Sequence, residues 1–156
     1  MASTNQPTIV ICHQSLESTR GGVRNGAEVR EILEQANQKA GRRKVIACLS
    51  GHHHTDYVKT IQSIPYIQIN SMAYKAVGMK NPRKRFGKHI EHTSPLIKYV
   101  APYLDPLYTV LTIDPKKKTL HIEGAETSYI SPSPFEMKLT SKDTKPRITE
   151  CTLAIK

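Results

Sequence analysis

Four histidines are the residues of this chain best suited to metal chemistry: the consecutive His52, His53 and His54, and the isolated His13. Neutral imidazole nitrogen is a good donor for zinc, iron and similar divalent cations. The triplet follows Ser50 and Gly51, which interrupt an apolar run, and Gly51 lets the backbone turn without a Cβ clash. If the chain is extended past that turn, side chains alternate, so His52 and His54 point one way and His53 the other. Two imidazoles on one side of a strand-end loop form half of a transition-metal site. The plainer alternative is a polar surface loop with incidental histidines. A second candidate is the basic stretch 75–95, with Lys75, Lys80, Arg83, Lys84, Arg85 and Lys88 around Pro82 and Gly87. It reads as an irregular loop that draws anions to the site or touches nucleic acid, or as a solvated surface loop. Only Tyr74 and Phe86 are on hand for base stacking, fewer faces than single-strand binders usually offer.

The elements that must position these groups begin with residues 8–12, a continuous apolar run that predicts a strand buried on both faces, with His13 at its C-terminal end. A loop with Gly21 and Gly22 follows. Asn25 is placed to cap a helix, with Glu28 three residues on in a capping-box-like arrangement. Val29, Ile32, Leu33, Ala36 and Ala40 share one helical face, and Gly41 closes the helix. Residues 44–49 are again apolar, so 8–49 reads as a strand–helix–strand unit whose strands lie parallel in one sheet. His13 and the His52/His54 pair then both follow C-terminal strand ends, the edge where such sheets bind ligands. Three imidazoles from two stretches are expected to converge there.

Residues 56–63 read as a short helix or turn, and 65–70 as another strand. The alternating runs 107–114 and 119–123, joined across Pro115 and three lysines, predict a hairpin in which His121 is a surface or pairing residue. Beyond Ser131 the chain turns to Pro, Ser, Lys and Thr, which predicts a loosely held tail over 131–156 after a domain over 1–130. The class expected is α+β with a βαβ start.

The length suits one domain with a core of its own. No apolar run reaches membrane-spanning length, and residues 1–8 lack the basic and apolar regions of a signal peptide, so the chain as it stands is expected to be soluble and cytoplasmic. Cys12 and Cys48 lie inside apolar runs, and three cysteines in all fit buried free thiols better than a disulfide framework. The formal charge of +10, from 23 Lys plus Arg against 13 Asp plus Glu, favours anionic partners.

With those residues placed, the chain resembles the calcineurin-like metallophosphoesterases of bacterial type, specifically their C-terminal half. That family carries a metal-binding histidine after a strand, then a helix, then a strand ending in Gly-His-x-His. Val10 to His13 and Gly51-His52-His53-His54 match both elements in order, Ile64 to Ser71 is similar to the family's next strand, and 103–124 resembles its closing hairpin. The resemblance covers about residues 8–130. It implies a partial αββα sandwich and a hydrolase of phosphate mono- or diesters. It also implies that His13 and His52 bind one divalent cation (zinc, manganese or iron) and His54 a second, the pair clamping a phosphate ester. His53, at the variable position, and Arg85 are the residues expected to meet the substrate.

The family's N-terminal motifs, rich in aspartate and asparagine, have no counterpart before His13, and no catalytic residue is assigned in this chain. Two divalent cations about 3.5 Å apart repel by about 20 kcal/mol at an effective dielectric near 20. Neutral imidazoles do not offset that, so this half alone is expected to hold one cation or none and to be inactive by itself. An exposed sheet edge or face, left by the missing half, would then drive self-association. The runner-up reading is a non-catalytic module that binds anions or nucleic acid through the 80–88 loop.

Overall fold

The computed structural model describes residues 6–155. The first strand, β1 (Thr8–Ile11), leads through a loop to helix α1 (Gly26–Ala40) and then to β2 (Val45–Ser50). β1 and β2 are parallel, with Val10 opposite Cys48 and Ile11 opposite Leu49, as the strand–helix–strand pattern requires. The register shifts by one residue between Thr8 and Ile9, which turns Val45 toward the helix and Ala47 toward the opposite face. Two details differ from the sequence reading. β1, expected to be buried on both faces, lies at the sheet edge with Ile11 78% exposed. On α1, Leu33 is buried but Ile32 is 62% exposed and Ala40 is exposed, so only part of the expected apolar face is covered.

The helix ends are also informative. Gly41 takes φ 61° and its N–H donates to the carbonyl of Gln38, the left-handed termination that glycine permits without strain. Asn25 makes no side-chain cap, so the capping box is not formed. At this helix start Gly26 N–H donates to Val23 O at 3.0 Å.

Residues 56–63, expected as a helix or turn, are instead strand. β3 (Tyr57–Ile61) and β4 (Ile64–Gln68) form a tight antiparallel hairpin. Its two turn residues, Gln62 and Ser63, have φ 46° and 65°, the paired positive values of a type I′ turn. β4 also lies parallel to β2, giving the sheet order β1-β2-β4-β3. Every residue of β4 is buried, which is the environment of a strand covered on both faces.

The second half is built from short pieces. β5 (Tyr74–Ala76) pairs with β6 (Val100–Pro102), with the short helix α2 (Lys88–Thr93) between them in the stretch read as irregular. β7 (Leu111–Asp114) and β8 (Thr119–Ile122) form the predicted hairpin, with Asp114 Oδ1 accepting from the Lys116 and Lys117 amides in the turn. β9 (Ala125–Glu126) follows. The C-terminal segment, expected to be loosely held, supplies β10 (Arg147–Ile148) against β9 and β11 (Cys151–Ala154) against β8. The chain is thus a mixed α and β protein, and among the described residues no helix is long and apolar enough to cross a membrane.

Three layers result. On one face of the four-stranded sheet, Val45, Cys48, Ile64 and Tyr66 pack with Leu16 and with Leu33 of α1. On the other face, Ala47 and Ile67 pack against Leu120 and Ile122 of the β11-β8-β7 sheet, with Tyr103, Leu107 and Ile148. The three cysteines are free thiols. Cys48 is buried in the first of these clusters, and burial, with smaller contributions from Cys12 and Glu17, pushes its thiol up to about 12 from 9.0. The unfolded chain therefore releases this proton at a lower pH than the folded one, so folded stability should decline as pH rises above 9.0 and stop declining near 12. Urea midpoints taken from about pH 8 to about pH 11 should fall in wild type and fall less in Cys48→Ala.

Candidate metal and phosphate site

The loops after β1 and β2 are stitched together through one carbonyl. His13 O accepts from both the Gly51 N–H (3.2 Å) and the His52 N–H (3.0 Å), which fixes the two histidine-bearing segments side by side. As a result His52 Nδ1 lies 3.0 Å from His13 Nε2, the rings meeting edge to face with centroids 4.9 Å apart. Both side chains are exposed, at the C-terminal edge of the parallel strands.

His53 and His54 do not alternate as an extended chain would place them. The backbone turns at His52 and His53, and His54 adopts a left-handed φ of 49°, unusual for a residue with a side chain. His53 consequently stays beside His52, ring centroids 5.4 Å apart, while His54 swings against Tyr74 at 4.9 Å. His54 Nδ1 is buried with no hydrogen-bond partner. Burial lowers the His54 pKa; a hydrogen bond to the Tyr74 backbone opposes this, and the charges of His52, His13 and Lys75 add to the lowering. His54 is thus held as a neutral imidazole with a free ring nitrogen. Among the described residues no three His, Cys, Asp or Glu side chains come together as a ready metal cluster: of the three imidazoles expected to converge, His13 and His52 meet, while His54 turns to Tyr74.

Behind His53 runs a buried polar chain that the sequence did not reveal. His53 Nε2 lies 3.1 Å from the hydroxyl of Ser15, which is fully buried. The Tyr57 hydroxyl, also within reach of Ser15, donates to Glu17 Oε1 at 2.6 Å. Burial first, and then the bond to Glu17 and its charge, push the Tyr57 hydroxyl up to about 12, while Ser15 acts the other way. Gly21 makes room for the His53 ring: a Cβ there would stand 3.0 Å from His53 Cε1, and φ is 70°. Tyr57→Phe would leave the buried Glu17 carboxylate without its donor. It should lower stability by about 1–3 kcal/mol in urea unfolding, with Glu17→Gln in the same background restoring part of the loss.

Arg85 is bonded elsewhere in the fold. Its guanidinium donates to the carbonyls of Val100 (2.8 Å) and Pro132 (2.6 Å) and lies 3.1 Å from Met137 Sδ. Desolvation, and secondarily the Arg83 charge, lower its pKa. These bonds make it a clamp between β6 and the 132–137 loop, a correction to the role expected for it. Lys80, Arg83, Lys84 and Lys88 of the same stretch are exposed.

A polar cleft of about 640 Å³ opens beside His54, lined among others by Asn70, Lys75, Tyr103, Tyr129 and Arg147. Tyr103 donates to Asn70 Oδ1 at 3.1 Å, and Asn70 Nδ2 donates to the Arg147 carbonyl at 3.1 Å, so the C-terminal segment forms one wall. No protein-family model matches this chain, and no curated protein does either.

Proposed function

We propose that this chain carries the histidine side of a metal-dependent phosphoesterase site, acting on phosphate mono- or diesters, within a partial αββα sandwich of metallophosphoesterase type. The reading rests on His13 and His52, whose ring nitrogens stand 3.0 Å apart at the C-terminal edge of two parallel strands. Two exposed imidazole nitrogens held within reach of each other are donors of the kind that divalent transition-metal ions take. The donors therefore fit a divalent zinc, manganese or iron ion. Such an ion would supply Lewis-acid polarisation of a phosphoryl oxygen.

The chain's own residues have separable parts in this reading. His13 and His52 would hold the cation, and the unpartnered Nδ1 of His54, buried beside them, would serve a second one only once exposed. His53, whose Nε2 is held by Ser15, would meet substrate rather than metal. The cleft beside His54 is large enough for the esterified group, since small-molecule sites typically span about 300–1,000 Å³. In this reading the site is incomplete within this chain, which would self-associate or need a partner to work. Metal content by mass spectrometry, paired with hydrolysis of p-nitrophenyl phosphate and bis-p-nitrophenyl phosphate, tests the proposal. Bound metal is expected, with little or no turnover by the chain alone; an absence of bound metal at micromolar supply and neutral pH overturns it.

A second reading is favoured by the exposed Lys80, Arg83, Lys84 and Lys88 in a chain of net charge +10: a module that binds anions or nucleic acid without His13 or His52. It predicts affinity that falls steeply with salt.

A further inference from the structure

The four-stranded sheet ends at β1, and that edge is built unlike the other edges of the two larger sheets. β3 carries Lys59 and β7 ends in Asp114 beside a run of lysines. β11 is flanked by Glu150 and has its Ala154 carbonyl taken by Arg43 Nη1 at 2.6 Å. Charges and covered carbonyls of this kind are how proteins keep a sheet edge from pairing. β1 has neither: residues 6–12 contain no charged side chain, and Ile11 is 78% exposed.

The direction of its main-chain groups can be read from its bonds. Thr8 N–H donates to Lys44 O at 2.7 Å and Cys12 N–H to Leu49 O at 3.0 Å, so the even-numbered residues face β2. Ile9 and Ile11 therefore turn their N–H and C=O groups to the open edge. Such a row is a ready template for another extended backbone.

We propose that the occupant is a second copy of this chain, paired antiparallel through β1 about a two-fold axis at Val10. The proposal rests on the self-association in the reading above but not on metal binding. In this register Ile9 stands opposite the partner's Ile11, and Ile11 opposite the partner's Ile9. These are the two positions with outward main-chain groups, so each pair exchanges both of its hydrogen bonds. Val10 meets its own copy in the non-bonded position between them. Pro7, which has no N–H to donate, limits the pairing at its start. Two copies of a +10 chain repel at most of their surface, and an uncharged edge is where they can approach.

The axis runs perpendicular to the sheet, so the eight strands form one continuous sheet with both α1 helices on the same side. Val10 belongs to the cluster under α1, whereas Ile9 packs on the opposite face with Ala47 and Ile67. Ile11 shares the Ile9 face, and pairing sets it against another isoleucine rather than water.

Sedimentation equilibrium of the full chain tests this directly. A dimer is expected at tens of micromolar protein, and Ile11→Lys should weaken it at least about tenfold, because an edge lysine blocks strand pairing. Ile113→Lys, at the β7 edge, should leave the dimer intact. A wild-type monomer, or a dimer that survives Ile11→Lys or is lost in Ile113→Lys, overturns the proposal. Hydrogen exchange supplies a readout without any substitution: the Ile9 and Ile11 amides should become protected as concentration rises. Fast exchange of both at every concentration rejects pairing through β1, whatever the metal content of the same samples.

Discussion

His52→Ala is expected to abolish metal binding while leaving the fold intact. The ring is exposed and its side chain makes one polar contact, with His13 Nε2, so its loss should change stability by no more than about 0.5 kcal/mol. Binding is a different matter. With His13 and His52 as the two donors that meet at one point, removing either leaves a single protein ligand, and a lone imidazole on a surface does not compete with water for a divalent cation. Loss of a second-shell partner alone costs about 10–100-fold in metal affinity, so removal of a ligand from a two-donor core should exceed about a hundredfold.

The control is charge neutralisation in the basic stretch, Arg83→Gln with Lys84→Gln. These exposed cations touch neither histidine loop through any hydrogen bond, so metal affinity should be unchanged while affinity for polyanions falls. Zinc titration by calorimetry, read beside the thermal melt of each variant, separates the outcomes. Metal affinity retained in His52→Ala would remove the pair from the site and leave the basic stretch as the functional surface.

How far these features could be read from sequence follows from what kind of signal each one leaves. Continuous apolar runs at 8–12 and 44–49 around an amphipathic stretch specify a parallel pair, and that pair carries His13 and His52 to one edge. Periodicity says which elements form, but not where a strand sits in a sheet, so β1, read as buried on both faces, stands at the edge with Ile11 exposed. The β3–β4 hairpin was hidden by its turn, since Gln62 and Ser63 take positive φ without the Asn-Gly or Asp-Gly signature that usually announces it. The direction of His53 and His54 depended on an extended backbone, and one left-handed residue, His54, undid the alternation. Arg85 read as an anion contact by its neighbours, but both of its terminal guanidinium nitrogens donate to carbonyls distant in sequence. The chain from His53 through Ser15 and Tyr57 to Glu17 joins residues up to 40 positions apart, and no local pattern marks it.

Deletion of residues 147–156 should unfold the protein or drive it into aggregates, although composition alone marks this segment as dispensable. Pro, Ser, Lys and Thr dominate the stretch that precedes it, and they obscure an alternating run of Ile148, Cys151, Leu153 and Ile155 near the end. Ile148 is 2% exposed and belongs to the cluster that joins the two larger sheets. Burial of one such side chain is worth about 1.5–3 kcal/mol before any cavity is counted. β11 pairs with β8 along its whole length, so its loss also strips one partner from the strand that carries Leu120 and Ile122 into the core. Thr149 is bound through both its amide (2.9 Å) and its hydroxyl (2.6 Å) to Asp56 Oδ2, which ties this segment to the stretch just after the histidine loop. Together these terms approach the whole stability of a small domain, about 5–15 kcal/mol. The point variant Ile148→Ala provides a graded test: it should cost about 2–5 kcal/mol in urea unfolding. A deletion variant that melts cooperatively near the wild-type temperature would show that the two-sheet core holds without its last strand. Since the same segment walls the cleft beside His54, Ile148→Ala should also loosen that wall, making His54 Nδ1 accessible before the protein as a whole unfolds.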